Sequence, residues 1–417
     1  MIRSVITRRA ARGATLAFAL AWATILGATQ VASAQSPPPA GEDTRAAEIA
    51  AQQQAKAGEL TPYAPNKAEI WVKKLEEQFL TGALHWHPFF ESAYAGGGFT
   101  LGAGYLTHVG DYNTLDLRGS ITFTNYKRLE AEFFAPRLFG RRGELSVIGG
   151  WREATQVGFY GIGTGNTSKD DRVNYSFTQP YASALLEVRP WRRAFLLAGG
   201  VEYSQWDQSE GSGSFPSIEE VYTPETLPGL NATVTYLHTQ GTAALDWRTS
   251  PGYTRHGGYY GVTVHDYRDS DDRYSFRQVD YEAIQHIPIL REAWVLSLRA
   301  RVNTTYTDGG EVVPFFMLPS VGGGSSLRGF TSWRFRDENS LLLQAEWRVL
   351  VNSFMDIALF YDAGKVTSSR SDLDLEDLKS DYGIGFRLHG PMATPLRIEL
   401  ARSNEGLVMV WSAKASF

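Results

Sequence analysis

The sequence predicts an all-β protein: a transmembrane antiparallel barrel of about sixteen strands behind a short N-terminal helical and linker segment. Three observations predict it. The chain opens with a secretory leader. From about residue 91 it alternates apolar and polar residues with a period of two. No stretch after the leader is long and apolar enough for a transmembrane helix, which needs about 20 residues. A closed barrel is the other structure that satisfies every backbone group in lipid.

The leader comes first. Met1 to Gly13 carries Arg3, Arg8, Arg9 and Arg12 and no acid. Ala14 to Ala28 is small and apolar throughout, and Ala32-Ser33-Ala34 supplies a small-x-small cleavage site. Residues 1–34 therefore read as a signal peptide cut after Ala34. A membrane anchor would need a longer run. Cleavage leaves 36 basic and 45 acidic residues, a net charge of −9. That argues against nucleic acid as a partner, because phosphate binding wants a basic surface. The chain has no cysteine. This excludes a disulfide scaffold, a thiolate metal site, a cysteine nucleophile and a lipid-anchored lipoprotein.

Residues 35–65 are rich in Ala, Gln, Pro and charge, and read as a disordered linker. Over 66–80, Asn66 and Glu69 fit a capping box, and Trp71, Leu75 and Phe79 make one apolar stripe. A short amphipathic helix is expected there. It either packs against the barrel mouth or has a role of its own.

The barrel is expected over 91–417. Leu341, Leu343, Ala345, Trp347, Val349 and Val351 share one face of a strand, opposite Gln344, Glu346 and Arg348. Trp294–Asn303, Asp381–His389 and Leu396–Arg402 alternate in the same way, the last with Arg397 and Glu399 on its polar face. A soluble sandwich also alternates. Repeated Arg and Glu on the polar face, and Trp and Tyr near strand ends, favour a watery lumen and interfacial girdles. Fifteen strand segments are legible, the first at 92–107 and the last at 407–417. A chain with both ends in the periplasm needs an even number, and the inside–outside scheme breaks only before residue 143. Sixteen is the expected count, with fourteen the alternative. In the last strand Leu407, Met409, Trp411, Ala413, Ala415 and Phe417 share a face. Trp411 and the terminal Phe417 resemble the signal that outer-membrane assembly machinery reads during biogenesis.

Two segments are more specific. Gly322-Gly323-Gly324-Ser325-Ser326-Leu327-Arg328-Gly329-Phe330 lies in the long loop before the last five strands. Phe360-Tyr361-Asp362-Ala363-Gly364 lies on the second strand after it. Both resemble hallmarks of the BamA/TamA superfamily (the bacterial surface antigen domain), whose sixth loop carries a Val-Arg-Gly-Phe/Tyr motif. Leu327 stands here in place of the Val. The resemblance spans 91–417 and implies that the loop folds back into the barrel, with Arg328 resting on inward residues of the following strands. Parity independently puts Asp362 and Phe360 inward on one strand and Glu346 inward on the strand before. An arginine in a lumen needs acidic partners, so Arg328 is expected to contact Asp362, Glu346 or both, with Phe360 and Gly364 beside it. Residues 35–80 are too few for a POTRA domain, so the chain resembles a POTRA-less member.

The resemblance implies a non-enzymatic role in protein or lipid assembly, insertion or translocation. Outer-membrane lipids, the barrel assembly machinery and an unidentified periplasmic or client protein are the expected partners. Gly96, Gly97, Gly98, Gly102 and Gly104 are placed in the first strand, where they either weaken a lateral seam or relieve crowding. A passive pore without a client is the second reading. A barrel lipid hydrolase is the third, but no Gly-x-Ser-x-Gly or Ser/His/acid set supports it. No cofactor or metal is expected. Gly161-Ile162-Gly163-Thr164-Gly165 does not match a dinucleotide fingerprint. His85-Trp86-His87 reads as interfacial belt rather than a metal site, and Asp269, Asp271 and Asp272 as solvated turn residues.

Overall fold

The computed structural model describes residues 85–417, apart from 166–167, 192–193, 291–292, 391–392, 413–414 and 416. The expected signal peptide, linker and short helix lie outside these residues. The strands are β1 (Trp86–Pro88), β2 (Thr100–Val109), β3 (Asn113–Thr122), β4 (Lys127–Leu138), β5 (Gly143–Phe159), β6 (Val173–Val188), β7 (Phe195–Glu210), β8 (Thr233–Asp246), β9 (Gly257–Asp269), β10 (Phe276–Ile289), β11 (Trp294–Tyr306), β12 (Ser320–Val321), β13 (Phe335–Arg336), β14 (Asn339–Asn352), β15 (Met355–Thr367), β16 (Lys379–Leu388), β17 (Leu396–Ser403) and β18 (Gly406–Ser412). All but β12 and β13 form one sixteen-stranded sheet in chain order, each strand antiparallel to its neighbours. β12 and β13 pair with each other inside the connection from β11 to β14.

The two faces of the sheet decide what kind of barrel this is. Along β15, Asp356, Ala358, Phe360 and Asp362 are buried, while Ile357, Leu359 and Tyr361 are exposed. Leu359 is 49% exposed and Asp362 0%. β3 repeats the pattern, with Asp116 and Arg118 buried and Leu117 and Ile121 exposed. A soluble sandwich hides its apolar face; here the charged face is hidden and the apolar face is outside, as lipid requires. Exposed rings mark both rims. Tyr112, Phe139, Trp191, Trp247 and Phe354 lie by the periplasmic turns, and Phe99, Phe123, Tyr306 and Tyr382 lie toward the other end.

β1 is the strand that the sequence count lacked. Three residues are too few to show a period of two, and Pro88 lacks a ladder amide. The segment expected to be the first strand, 92–107, is β2 and begins only at Thr100. Before it the chain turns into the lumen. Phe89 lies under the guanidinium groups of Arg118 and Arg128, 5.2 and 5.7 Å from its centroid. Tyr94 stacks on Trp333 at 4.5 Å, and Trp333 Nε1 donates to Ala95 O at 2.9 Å. Gly96 and Gly98 have φ of +94° and +73°, which side chains tolerate poorly. Gly96, Gly97 and Gly98 thus belong to this inturned connection and not to a strand.

Gly102 and Gly104 do lie in a strand, the second. A Cβ on Gly102 would collide with the backbone oxygens of Phe89 and Gly119, and one on Gly104 with the ring of His87. Their bareness lets β1 lie close to β2. Gly102→Ala should cost about 1–3 kcal/mol by overpacking. The check is the temperature at which the folded barrel loses its fast migration on a gel; an unchanged temperature contradicts the close approach.

The C-terminus also departs from expectation. β18 ends at Ser412, opposite Arg397, and Pro395 stands just before β17. Leu407, Met409 and Trp411 keep their exposed row. Phe417 leaves it, and lies 6.1 Å from the ring of His286 and 6.0 Å from the Arg299 guanidinium. Both belong to the buried lumen face.

Apolar packing concentrates inside the outer end of the lumen. Phe159, Tyr175, Phe177, Trp206, Tyr236 and Phe276 from the wall enclose Phe315 and Phe316 of the β11–β14 connection. At the other end the β8–β9 connection crosses to the β14–β17 side. Tyr253 stacks on His389 at 3.9 Å and its hydroxyl donates to Asp356 Oδ2 at 3.1 Å. Thr394 Oγ1 donates to Gly252 O at 3.0 Å, and Arg348 donates to Thr254 O.

Candidate functional site

The β12–β13 hairpin carries the Leu-Arg-Gly-Phe segment into the lumen. Its backbone closes on itself. Gly323 N lies 3.0 Å from Leu327 O and 3.1 Å from Phe330 O, and Gly322 N donates to Ser326 Oγ at 2.8 Å. Gly322 and Gly323 have positive φ. Leu327 and Phe330 pack with Val321, Phe335, Leu342 and Val366 into a small apolar cluster. The wall then grips the tip. Arg299 Nη1 donates to Ser325 O at 3.1 Å, Gln344 Nε2 to Ser326 O at 2.7 Å, Arg397 Nη2 to Gly324 O at 2.9 Å and Ser403 Oγ to Gly329 O at 2.8 Å.

Arg328 is fully buried. Its Nε and Nη2 donate to the two oxygens of Asp362, each at 2.7 Å. Nη1 donates to Glu346 Oε2 and Glu399 Oε1, each at 3.0 Å. The guanidinium carbon sits 3.5 Å from the centre of the Phe360 ring. A planar fork can meet two oxygens of one carboxylate and still reach two more acids; an ammonium cannot. Burial opposes the charge, but Asp362, Glu399 and Glu346 together hold the pKa above the ordinary arginine value. Gly364 lies under Leu327, whose side chain a Cβ there would touch. Glu346, Phe360, Asp362 and Gly364 are thus brought together around the motif.

Sequence reasoning missed half of this network. Arg387 pairs with Glu346 through both amino groups and with Glu399 at 3.0 Å. Arg397 lies 3.6 Å and Arg348 3.8 Å from the same carboxylates. Glu399, Arg387 and Arg397 all stand on inward parity, but parity gives a side and not a height. Asp381 is the odd member: it faces Asp362 across the β15–β16 ladder, a carboxylate directly opposite a carboxylate. Ionising both would set like charges opposite each other in a buried site, which is destabilising. Asp381→Asn should therefore raise stability by roughly 1 kcal/mol, seen as a higher midpoint in denaturant. A lower midpoint would show that the charge is needed.

The remaining candidates are placed as follows. His87 Nε2 lies 2.8 Å from Asp116 Oδ1 and His85 Nδ1 lies 2.8 Å from Leu106 O. Among the described residues no group of three or more His, Cys, Asp or Glu could hold a metal. Asp269 Oδ2 accepts from the amides of Arg273 and Tyr274, so it caps its turn from a buried position rather than lying in solvent. Among the described residues no ladder joins β1 to β18. The rings of Phe99 and Trp411 approach to 5.5 Å.

The arrangement has known counterparts. No curated protein matches the chain. Among solved structures, BamA from Haemophilus ducreyi lacking POTRA domains 1–3 superposes with a TM-score of 0.58 at 15% identity, covering 78% of this chain and 68% of that one. CdiB from Escherichia coli does so at 0.52 and 12%, covering 78% and 61%. CdiB from Acinetobacter baumannii gives 0.48 and 12%, covering 75% and 56%. The chain therefore spans less than two thirds of either CdiB. These identities speak to fold alone. The Omp85 superfamily domain matches residues 108–405, well over half of the sequence, and the chain belongs to that superfamily as an integral β-barrel protein of the bacterial outer membrane.

Proposed function

We propose that the protein acts without enzymatic chemistry in assembling, inserting or translocating a client at the outer membrane, through the gap between its first and last strands. The observation that carries this is the three-residue β1 which, among the described residues, no ladder joins to β18. An unpaired strand edge in lipid is costly and is a template for another strand. Gly102 and Gly104, which let β1 lie against β2, belong to this seam, and β18 with Trp411 forms its other side. BamA and CdiB, whose folds this barrel shares, keep company with the reading.

A passive pore fits less well. The rings around Phe315 and Phe316 fill the outer end of the lumen, and the Tyr253 connection crosses the other.

The test exploits the absence of cysteine. Phe99→Cys with Trp411→Cys, joined by a short bismaleimide, should lock the edge. Locked protein is expected to lose at least tenfold in client assembly or export, and the unlinked double variant to keep it. Clients would be identified by crosslinked pull-down from native outer membranes. Full activity of the locked barrel would sink the seam mechanism.

A further inference from the structure

Charge is divided between the two ends of the barrel. Among the described residues, the periplasmic turns at 110–112, 139–142, 189–194, 247–256, 290–293, 353–354 and 389–395 carry five arginines and one acid. The opposite connections, at 89–99, 123–126, 160–172, 211–232, 270–275, 307–338, 368–378 and 404–405, carry seven basic residues and seventeen acids. These arginines fall in three consecutive turns, β4–β5, β6–β7 and β8–β9, and not around the whole rim.

These three turns join into one ledge. Arg189 N donates to Arg142 O at 2.7 Å, and Arg142 Nη1 donates to Pro190 O at 3.1 Å. Arg189 Nη2 lies 3.5 Å from Asp246 Oδ2, and Arg248 Nε lies 2.9 Å from Asp246 Oδ1. Asp246 and Glu187 thus hold the inner arginines in place. Arg141 and Arg142 are exposed at the front. The ledge is flanked by rings that face outward. Phe139 is 63% exposed and Trp191 80%. Trp247, stacked on Tyr260 at 5.4 Å, stands one turn further on. Rings at this height sit at the lipid headgroup level, and arginines beside them reach phosphate.

We infer that this ledge binds the headgroups of anionic phospholipids in the periplasmic leaflet. The occupant follows from two features together. Guanidinium groups fit phosphodiester oxygens, and the bare Phe139 and Trp191 on either side need acyl chains to cover them. An acidic peptide would satisfy the first and leave the second exposed. The inference is independent of the seam mechanism, since the ledge lies on β4–β9 and the seam on β1, β2 and β18.

The test uses the full-length protein reconstituted into equimolar phosphatidylcholine and phosphatidylglycerol vesicles. One lipid at a time is brominated near its headgroup. The signal of Trp191 is the difference between the unchanged protein and Trp191→Phe. Brominated phosphatidylglycerol is expected to quench Trp191 more than brominated phosphatidylcholine, and the excess should shrink as salt is raised. A basic residue near an anionic surface is worth roughly fivefold in lipid binding. Arg141→Gln with Arg142→Gln should therefore lose about 25-fold in relative preference. Gel migration of the unheated protein confirms that the variant is folded. Equal quenching by the two lipids in the unchanged protein overturns the inference whether or not the variant folds. The same holds if headgroup charge has no effect while polyglutamate shifts Trp191 emission, which would make the ledge a protein-binding surface.

Discussion

Arg328→Ala is expected to destabilise the folded barrel by about 3–5 kcal/mol, the usual cost of removing one partner from a buried ionic cluster. The residue makes four side-chain hydrogen bonds to three carboxylates and covers a ring. Without it Asp362 loses its guanidinium partner and still faces Asp381 across the ladder. Glu346 and Glu399 keep Arg387. The damage should therefore centre on β15 and the hairpin rather than spread round the barrel. Arg328→Lys keeps the charge but not the fork, and should fall between the two. The readouts are the denaturant midpoint and tryptic cleavage at Arg334 and Arg336. Both arginines are buried in the unchanged protein, with Arg336 Nη2 donating to the Tyr175 hydroxyl at 2.9 Å. An unchanged midpoint with unchanged cleavage would mean that the hairpin is held by its apolar cluster and the Arg299, Gln344 and Arg397 contacts, with the ionic latch dispensable.

That latch was legible in the sequence because two independent signals met. The loop motif resembles that of the BamA/TamA superfamily, which implies an arginine turned into the barrel, and strand parity independently put Glu346 and Asp362 inside. β3 to β11 and β14 to β17 were legible for a related reason: a lipid face and a lumen face differ in chemistry at every second residue. What stayed hidden was set by height and by path. Glu399 and Arg387 stand on the right face, but only the stagger of sixteen strands brings them level with Arg328. β1 is too short to have a period. Gly96, Gly97 and Gly98 look like weak strand until Tyr94 is seen against Trp333. Phe417 looks like the end of a lipid-facing row until its ring is seen against His286 and Arg299. The crossing by Tyr253 depends on a turn folding under the barrel, and no local pattern encodes that.

The crossing matters for the second large effect, which concerns ion flow. A sixteen-stranded barrel without a plug leaves an aqueous channel. In planar bilayers the unchanged protein is expected to conduct almost nothing, because two separate devices occupy the lumen. Excising 312–336 removes Phe315, Phe316 and the hairpin, and with them the packing of Phe159, Tyr175 and Trp206 at the outer end. Conductance should appear but remain restricted, since the β8–β9 connection still spans to Asp356, His389 and Thr394. Replacing 249–255 by a Gly-Ser segment should have little effect alone, because the outer rings still close the lumen. Combined with the excision it should raise conductance several-fold over the excision alone, toward that of an open channel. The effects of two barriers in series do not add, so the double change must exceed the sum of the single ones. A large conductance from the unchanged protein would return the passive-pore reading to first place. A fully open channel from the excision alone would show that the Tyr253 connection is no barrier.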